Sequence, residues 1–191
     1  MGTLDQVRND VDFIIDDWNR NDEYSFPSRP FLFYTVASSI PFEYLDILFE
    51  NNPEHVADLG CGINQFKRYY PNIVGYDQVE SDWSYLCKPD VVCDVLSDDF
   101  IAEHHHAFDC AFSINCWHFK IKTKTFVSDV IEFASMIKPG GRGFITLNSA
   151  HIGGRDISLD NFPYKILKYY NDEVQYPGPA IDGDIRLLFQ K

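Results

Sequence analysis

The segment Asp58-Leu59-Gly60-Cys61-Gly62-Ile63-Asn64 and the acid Asp77 have types and spacing that could do chemistry. Glycines at 60 and 62 let backbone come close to a ligand, and the apolar run His55–Leu59 before them reads as a strand. In an open α/β sheet the carboxyl end of such a strand borders the ligand crevice. A second apolar run, Ile73–Tyr76, ends at Asp77, whose carboxylate can accept hydrogen bonds from both hydroxyls of a ribose. A glycine-rich turn with an acid further on is the pattern of a nucleoside-containing cofactor. A dinucleotide site wants a third glycine, so that a helix N-terminus can grip a pyrophosphate. Asn64-Gln65-Phe66 stands there instead. Asp58 also places an anion just before the turn, which disfavours a pyrophosphate and favours a cationic ligand. These residues point away from NAD and toward a sulfonium that carries an amino group.

Positioning such groups takes a parallel sheet. Short apolar runs recur at His55–Leu59, Ile73–Tyr76, Val91–Cys93, Cys110–Ile114 and Gly143–Leu147, with helical or loop segments between them. Uniformly apolar strands of this kind are covered on both faces. Phe126, Val127, Val130, Ile131, Phe133, Ala134 and Ile137 form a helical stripe, which Lys138-Pro139-Gly140-Gly141 stops. Asp160–Tyr170 reads as a helix, and Val174–Tyr176 and Asp184–Gln190 read as two strands joined through Pro177-Gly178-Pro179 and Asp182-Gly183. No crossover helix fits between those two, so they must be antiparallel. Upstream, Leu4, Val7, Val11, Ile14, Ile15 and Trp18 predict an amphipathic helix over Thr3–Asn19, and Pro41 opens a helix through Glu50. The expected fold is an α/β three-layer Rossmann-like sandwich. Its sheet is mainly parallel and seven-stranded, with an antiparallel C-terminal hairpin. One domain covers 1–191, divided into an N-terminal helical or lid segment (1–52) and a core (53–191).

The ordered set of motifs resembles the class I S-adenosylmethionine-dependent methyltransferases over roughly His55–Lys191. Val56-Ala57-Asp58-Leu59-Gly60-Cys61-Gly62 is similar to that family's first motif, and Val74-Gly75-Tyr76-Asp77 to its second strand. Val92-Cys93-Asp94-Val95-Leu96 resembles its third strand and the turn after it, and Phe108–Ser113 its fourth strand. Ile137-Lys138-Pro139-Gly140-Gly141 with Gly143-Phe144-Ile145 resembles its last turn and fifth strand. The resemblance implies S-adenosyl-L-methionine as cofactor, with Asp58, Gly60, Cys61 and Gly62 around the methionine part. It implies Asp77 with Gln78 at the ribose, and Asp94 with the Val95 amide at the adenine. Asn115 and His118 then fall in the methyl-transfer region, Asn115 among the cofactor contacts too, and both are candidate catalytic residues. One departure is Asn64, where the family often has a glycine or small residue; Asn tolerates unusual backbone angles.

Methyl transfer asks little of a protein beyond holding the acceptor in line and excluding water, since the sulfonium is already activated. A base is needed only if the acceptor must lose a proton, and His118 titrates in the right range. Asn115 and Trp117 are candidates for shaping the pocket. The stretch Asn115-Cys116-Trp117-His118 lacks the prolines of the motif that DNA amino-methyltransferases carry at this point, so a DNA substrate is disfavoured. Glu103-His104-His105-His106 reads as a surface loop rather than a metal site, because neighbouring histidines point in different directions. Lys120, Lys122 and Lys124 read as solvated charge, or as a guide for an anionic substrate. The aromatic segment Tyr24, Phe26, Phe31, Phe33 and Tyr34 reads as sheet packing, with a lid over the acceptor site as the alternative.

The chain has 191 residues, 45% of them hydrophobic, and a formal net charge of −13. Such a composition supports one sizeable core, and such a charge repels phosphate backbones. Five cysteines without a C-x-x-C pair, and an N-terminus unlike a signal peptide, predict reduced thiols in a cytoplasmic protein. The most apolar stretch, Phe31–Phe49, is broken by Pro41, Glu43 and Asp46, so no membrane span is expected. The reading is an S-adenosylmethionine-dependent methyltransferase with no metal. A small-molecule acceptor is favoured, with RNA or protein as further acceptor classes. Two alternatives stand beside it: a catalytically inactive methyltransferase-like binding or scaffold protein, and another nucleotide-using Rossmann-like enzyme.

Overall fold

The computed structural model describes residues 42–61, 64–68, 70–78, 89–114, 116–117, 126–148, 159–171 and 184–191. The elements, in chain order, are α1 (Phe42–Leu48), β1 (Val56–Leu59), a short 3₁₀ turn (Gln65–Arg68), β2 (Ile73–Asp77), β3 (Val91–Val92), α2 (Asp98–Glu103), β4 (Phe108–Ile114), α3 (Phe126–Ser135), β5 (Ile137–Asn148), β6 (Lys165–Asn171) and β7 (Asp184–Gln190). The strands form one seven-stranded sheet in the order β3-β2-β1-β4-β5-β7-β6. Pairing is parallel from β3 across to β5 and antiparallel at β5–β7 and β7–β6. The chain lays β2 and β3 to one side of β1 and β4 and β5 to the other. The strand order therefore reverses between β1 and β4, and that is where an open α/β sheet forms its crevice.

Period-two alternation explains the two cores. Val56, Cys110, Phe112, Phe144 and Leu188 join α1 residues Tyr44, Leu45 and Leu48 on one face. Ala57, Leu59, Ala111, Ile145 and Leu187 join α3 residues Val130, Phe133 and Ala134 on the other. Successive strand side chains point to opposite faces, so strands covered on both faces must be apolar throughout. All four β1 residues are buried, including Asp58. The expected sandwich is thus present, and α1 belongs to its packed layer.

Charged groups at the amino ends of the strands are well partnered. Asp109 of β4 accepts from the backbone amides of Glu54 (3.2 Å) and His55 (2.9 Å) and from Lys138 Nζ (2.6 Å). Desolvation pushes this carboxyl up, but the Lys138 ammonium and the His55 donors outweigh it and hold it at about 2. Arg142 of β5 reaches the far side of the sheet, where it donates to Ile47 O and pairs with Glu50 at 2.9 Å. Those contacts satisfy a carbonyl near the end of α1. Lys191 Nζ does the same for α3, donating to Ala134 O and Ile137 O, each at 2.8 Å.

Two expectations about elements are corrected. The segment Asp160–Tyr170 is not a helix: Lys165–Asn171 is the edge strand β6, paired antiparallel with β7. The register shifts between Ile166 and Lys168, so Leu167 is an extra residue in the strand. That bulge breaks the two-residue period, and the apolar spacing that remains looks helical. The C-terminal hairpin exists, with 165–171 as its first strand; Val174–Tyr176 lies outside the described residues. Secondly, α3 stops at Ser135, and Ile137 already belongs to β5. Lys138-Pro139-Gly140-Gly141 forms an irregularity inside β5, where Ile137 pairs with Phe108 but Arg142 pairs with Cys110. Gly140 takes φ +82°, and a Cβ on Gly141 would strike Asp109 O. The predicted helix over Thr3–Asn19 and the aromatic segment 24–34 lie outside the described residues.

Phe112 sits at the middle of the sheet, fully buried, with its ring edge-on to Phe66 (5.5 Å) and Phe49 (6.1 Å). Replacing it with Ala should cost about 3–5 kcal/mol, read as a lowered urea midpoint. Asp109 gives a pH signature. Its folded value is depressed, so its contribution to stability is present above its unfolded value near 4 and is lost as pH falls toward 2. Asp109→Asn should cost about 1 kcal/mol or less of stability at pH 7, given partial exposure, and flatten acid unfolding between pH 4 and 2.

Candidate functional site

The carboxyl ends of β1, β2 and β4 meet at one point. After Leu59 the chain turns sharply at Gly60, with φ +80°, a conformation that suits glycine. The Gly60 and Cys61 amides both donate to Tyr76 O, at 2.8 and 3.0 Å, which folds the turn over the end of β2. Cys116, at the exit of β4, packs against the open side of Gly60. A Cβ there would overlap Cys116 Cβ and Sγ. The first-motif glycine is therefore demanded twice, by its backbone angle and by its neighbour.

Asp58 is 2% exposed, and its Oδ2 has no hydrogen-bond partner. Burial, and then the nearby Asp77 carboxylate, push its pKa well above the ordinary carboxylate range. Burying an anion without a partner is costly. A cationic ligand group bound beside it would relieve that cost, so the residue fits the ammonium-bearing ligand that the sequence predicts. Asp77 ends β2 half-buried, and its backbone carbonyl accepts from Cys93 N at 2.9 Å. Gln78 follows it, exposed. Asp94 is exposed in the turn after β3, and its Oδ1 accepts from Leu96 N at 3.0 Å. That contact shapes the turn that carries Val95, whose side chain is buried in the core. Asp98 and Asp99, close by in sequence, belong instead to the first turn of α2, where Ser97 is the N-cap. Asp58, Asp77 and Asp94 all act electrostatically on Cys116, which brings the three acids to one end of the sheet.

The thiols here are not nucleophiles. Burial, and then Asp77 and Asp58, push Cys116 up to about 12, and burial and Asp58 push Cys61 higher still. Thiolate chemistry needs a lowered pKa, so both stay protonated at neutral pH. None of Cys61, Cys93, Cys110 and Cys116 is in a disulfide. Trp117 is fully buried and donates from Nε1 to Asp129 O at 3.1 Å, edge-on to Phe133. It anchors α3 in the core, so it is corrected from pocket-shaping residue to packing residue. In the 104–106 run, His104 stacks between Phe100 (4.0 Å) and Phe108 (5.4 Å). Gly62, Asn115, His118 and Lys120, Lys122 and Lys124 lie outside the described residues.

Sequence reasoning missed two partners. Cys116 was passed over as the neighbour of Gly60, and nothing in its sequence setting signals the contact. Asp90 was also missed; it accepts from Gly75 N, Asn64 Nδ2 and Lys67 Nζ just before β3. Asn64 adopts φ +51°, the left-handed geometry that its side chain tolerates.

No family model matches the chain, and no curated protein matches it. Solved structures do. The Burkholderia thailandensis 1,6-didemethyltoxoflavin-N1-methyltransferase, solved with S-adenosylhomocysteine, is 16% identical with a TM-score of 0.51, over 78% of this chain and 76% of that one. The N-methyltransferase NodS from Bradyrhizobium japonicum WM9, in complex with S-adenosylhomocysteine, is 12% identical with a TM-score of 0.51, over 78% of this chain and 84% of that one. TehB from Haemophilus influenzae is 14% identical with a TM-score of 0.57, over 84% of this chain and 66% of that one. Among the described residues, no helix is long and apolar enough to cross a membrane.

Asp58 supplies the local prediction. Its raised folded value means that its favourable contribution is complete below its unfolded value near 4 and is lost as pH rises toward the folded value. Asp58→Asn should therefore raise the ligand-free unfolding midpoint at pH 7 relative to the parent and shrink the difference at pH 4, in paired urea titrations. With this sheet order, glycine turn and acid set, the chain has the fold of the class I S-adenosylmethionine-dependent methyltransferases.

Proposed function

We propose that the chain binds S-adenosyl-L-methionine and transfers its methyl group to a small-molecule acceptor. The observation that carries this reading is the buried Asp58 carboxylate, one oxygen of it unpartnered, beside a glycine turn at the reversal point of the sheet. When bound, the cofactor supplies an activated methyl on a sulfonium. Asp58 holds the ammonium end by charge. Gly60, Cys61 and Gly62 let the methionine part lie close to backbone. Asp77 takes the ribose hydroxyls, with Gln78 beside it, and Asp94 and the Val95 amide take the adenine edge. Asn115 and His118, following β4, orient the acceptor, and His118 accepts its proton where one must be lost. The acid-rich surface disfavours a nucleic-acid acceptor. The Burkholderia thailandensis methyltransferase described above, solved with 1,6-didemethyltoxoflavin, lends support to a small acceptor.

Calorimetric titration with S-adenosylmethionine, S-adenosylhomocysteine and NAD tests the cofactor. Micromolar binding of the first two and none of NAD is expected. Asp77→Ala should weaken S-adenosylhomocysteine binding roughly 10- to 100-fold, about the value of one hydrogen bond to a charged acceptor, with the unfolding midpoint not lowered. Unchanged affinity in that variant would remove Asp77 from the site. Absence of binding by the parent protein would favour the inactive scaffold.

A further inference from the structure

Asn64 stands where the resemblance places a glycine or small residue, and the structure shows what it does there. It is fully buried, and its amide Nδ2 donates to Asp90 Oδ2 at 3.0 Å. The same oxygen accepts from Gly75 N at 2.8 Å, while Lys67 Nζ holds Oδ1. Asp90 N in turn donates to Gly75 O at 2.8 Å. A Cβ on Gly75 would lie 2.5 Å from Asn64 Cγ, so the bare backbone of Gly75 is the seat for the Asn64 side chain. Gly75 pairs with Asp58 across β1 and β2 and lies two residues before Asp77. Asn64 N donates to Cys61 O at 2.8 Å, which ties the glycine turn to the same group.

We propose that Asn64 and Asp90, with Lys67 and Gly75, form a polar clamp that positions the Gly60–Cys61 turn against the Asp77 end of β2. Neither residue touches the cofactor; both act through the turn. In place of a glycine's backbone freedom, this chain sets the turn by a side-chain hydrogen bond to a carboxylate that accepts from three donors. Small displacements of a ligand-holding turn cost affinity steeply, so the clamp governs cofactor affinity as well as local order. This rests on the cofactor reading above, but its first readout does not.

Hydrogen exchange of the Gly60 and Cys61 amides, measured by NMR without ligand, is compared between the parent, Asn64→Gly and Asp90→Asn. Asn64→Gly keeps the left-handed backbone without steric strain and removes the amide that donates to Asp90, so it carries the test if Asp90→Asn does not fold. Exchange at those two amides should accelerate roughly tenfold or more while core amides of β4 keep their protection. S-adenosylhomocysteine binding should weaken at least about tenfold, and Asn64→Asp, which removes the donor and adds a second anion, should weaken it further. Unchanged exchange at Gly60 and Cys61 overturns the clamp, as does faster exchange with parental affinity. Faster exchange in the variants, with no adenosyl binding by the parent, upholds the clamp on the turn and sinks the cofactor reading alone.

Discussion

β1 is hydrogen-bonded along both edges and covered on both faces, and the site inherits its immobility. β2 pairs with it from Val56 to Leu59 and β4 from Val56 to Asp58, so no residue of the strand can shift without breaking a ladder. Its last polar side chain, Asp58, is thereby held in the interior. A loop would let a carboxylate turn out to water. A central strand does not, and the desolvation of Asp58 is the direct result. The turn at Gly60, the packing of Cys116 and the placement of Asp77 all follow from where β1 ends.

The two ends of the sheet treat charge in opposite ways. At the amino ends, Asp109, Arg142 and Lys191 are each satisfied by several partners, and they tie β4, β5, α1 and α3 together. At the carboxyl ends, Asp58 keeps an unpartnered oxygen, and Asp77 sits close enough to raise its pKa. Matched charges contribute stability, whereas gathered carboxylates cost it. The carboxyl end of the sheet therefore carries an electrostatic cost that the amino end does not. The neighbouring thiols sharpen the point, because their raised pKa values leave the acids as the only reactive electrostatics among the described residues there.

The Asn64–Asp90 pair shows how a departure from a motif can be absorbed. A side chain at that position needs space and a partner for its amide. Gly75 supplies the space, and Asp90 supplies the partner. Neither feature lies near Asn64 in the chain; the pairing of β2 with β1 brings Gly75 to it, and the pairing of β3 with β2 brings Asp90.

The parallel strands, the glycine turn and the order of the acids were legible in the sequence, because short apolar runs and a Gly-x-Gly between a strand and an acid are local patterns. The Ser97 cap shows that Asp98 and Asp99 open α2, which separates them from Asp94 in the turn before it. The β6 strand was hidden by the Leu167 bulge, and the irregularity in β5 was read as a helix stop, because both depend on the register of a partner strand. Trp117 looked like a pocket residue until the packing of α3 against the sheet placed it in the core. Sequence alone determined the residue types that meet at the crevice. Tertiary structure decided which of them are buried, which are partnered and which touch Gly60, because burial and charge balance arise only when distant strands are brought side by side.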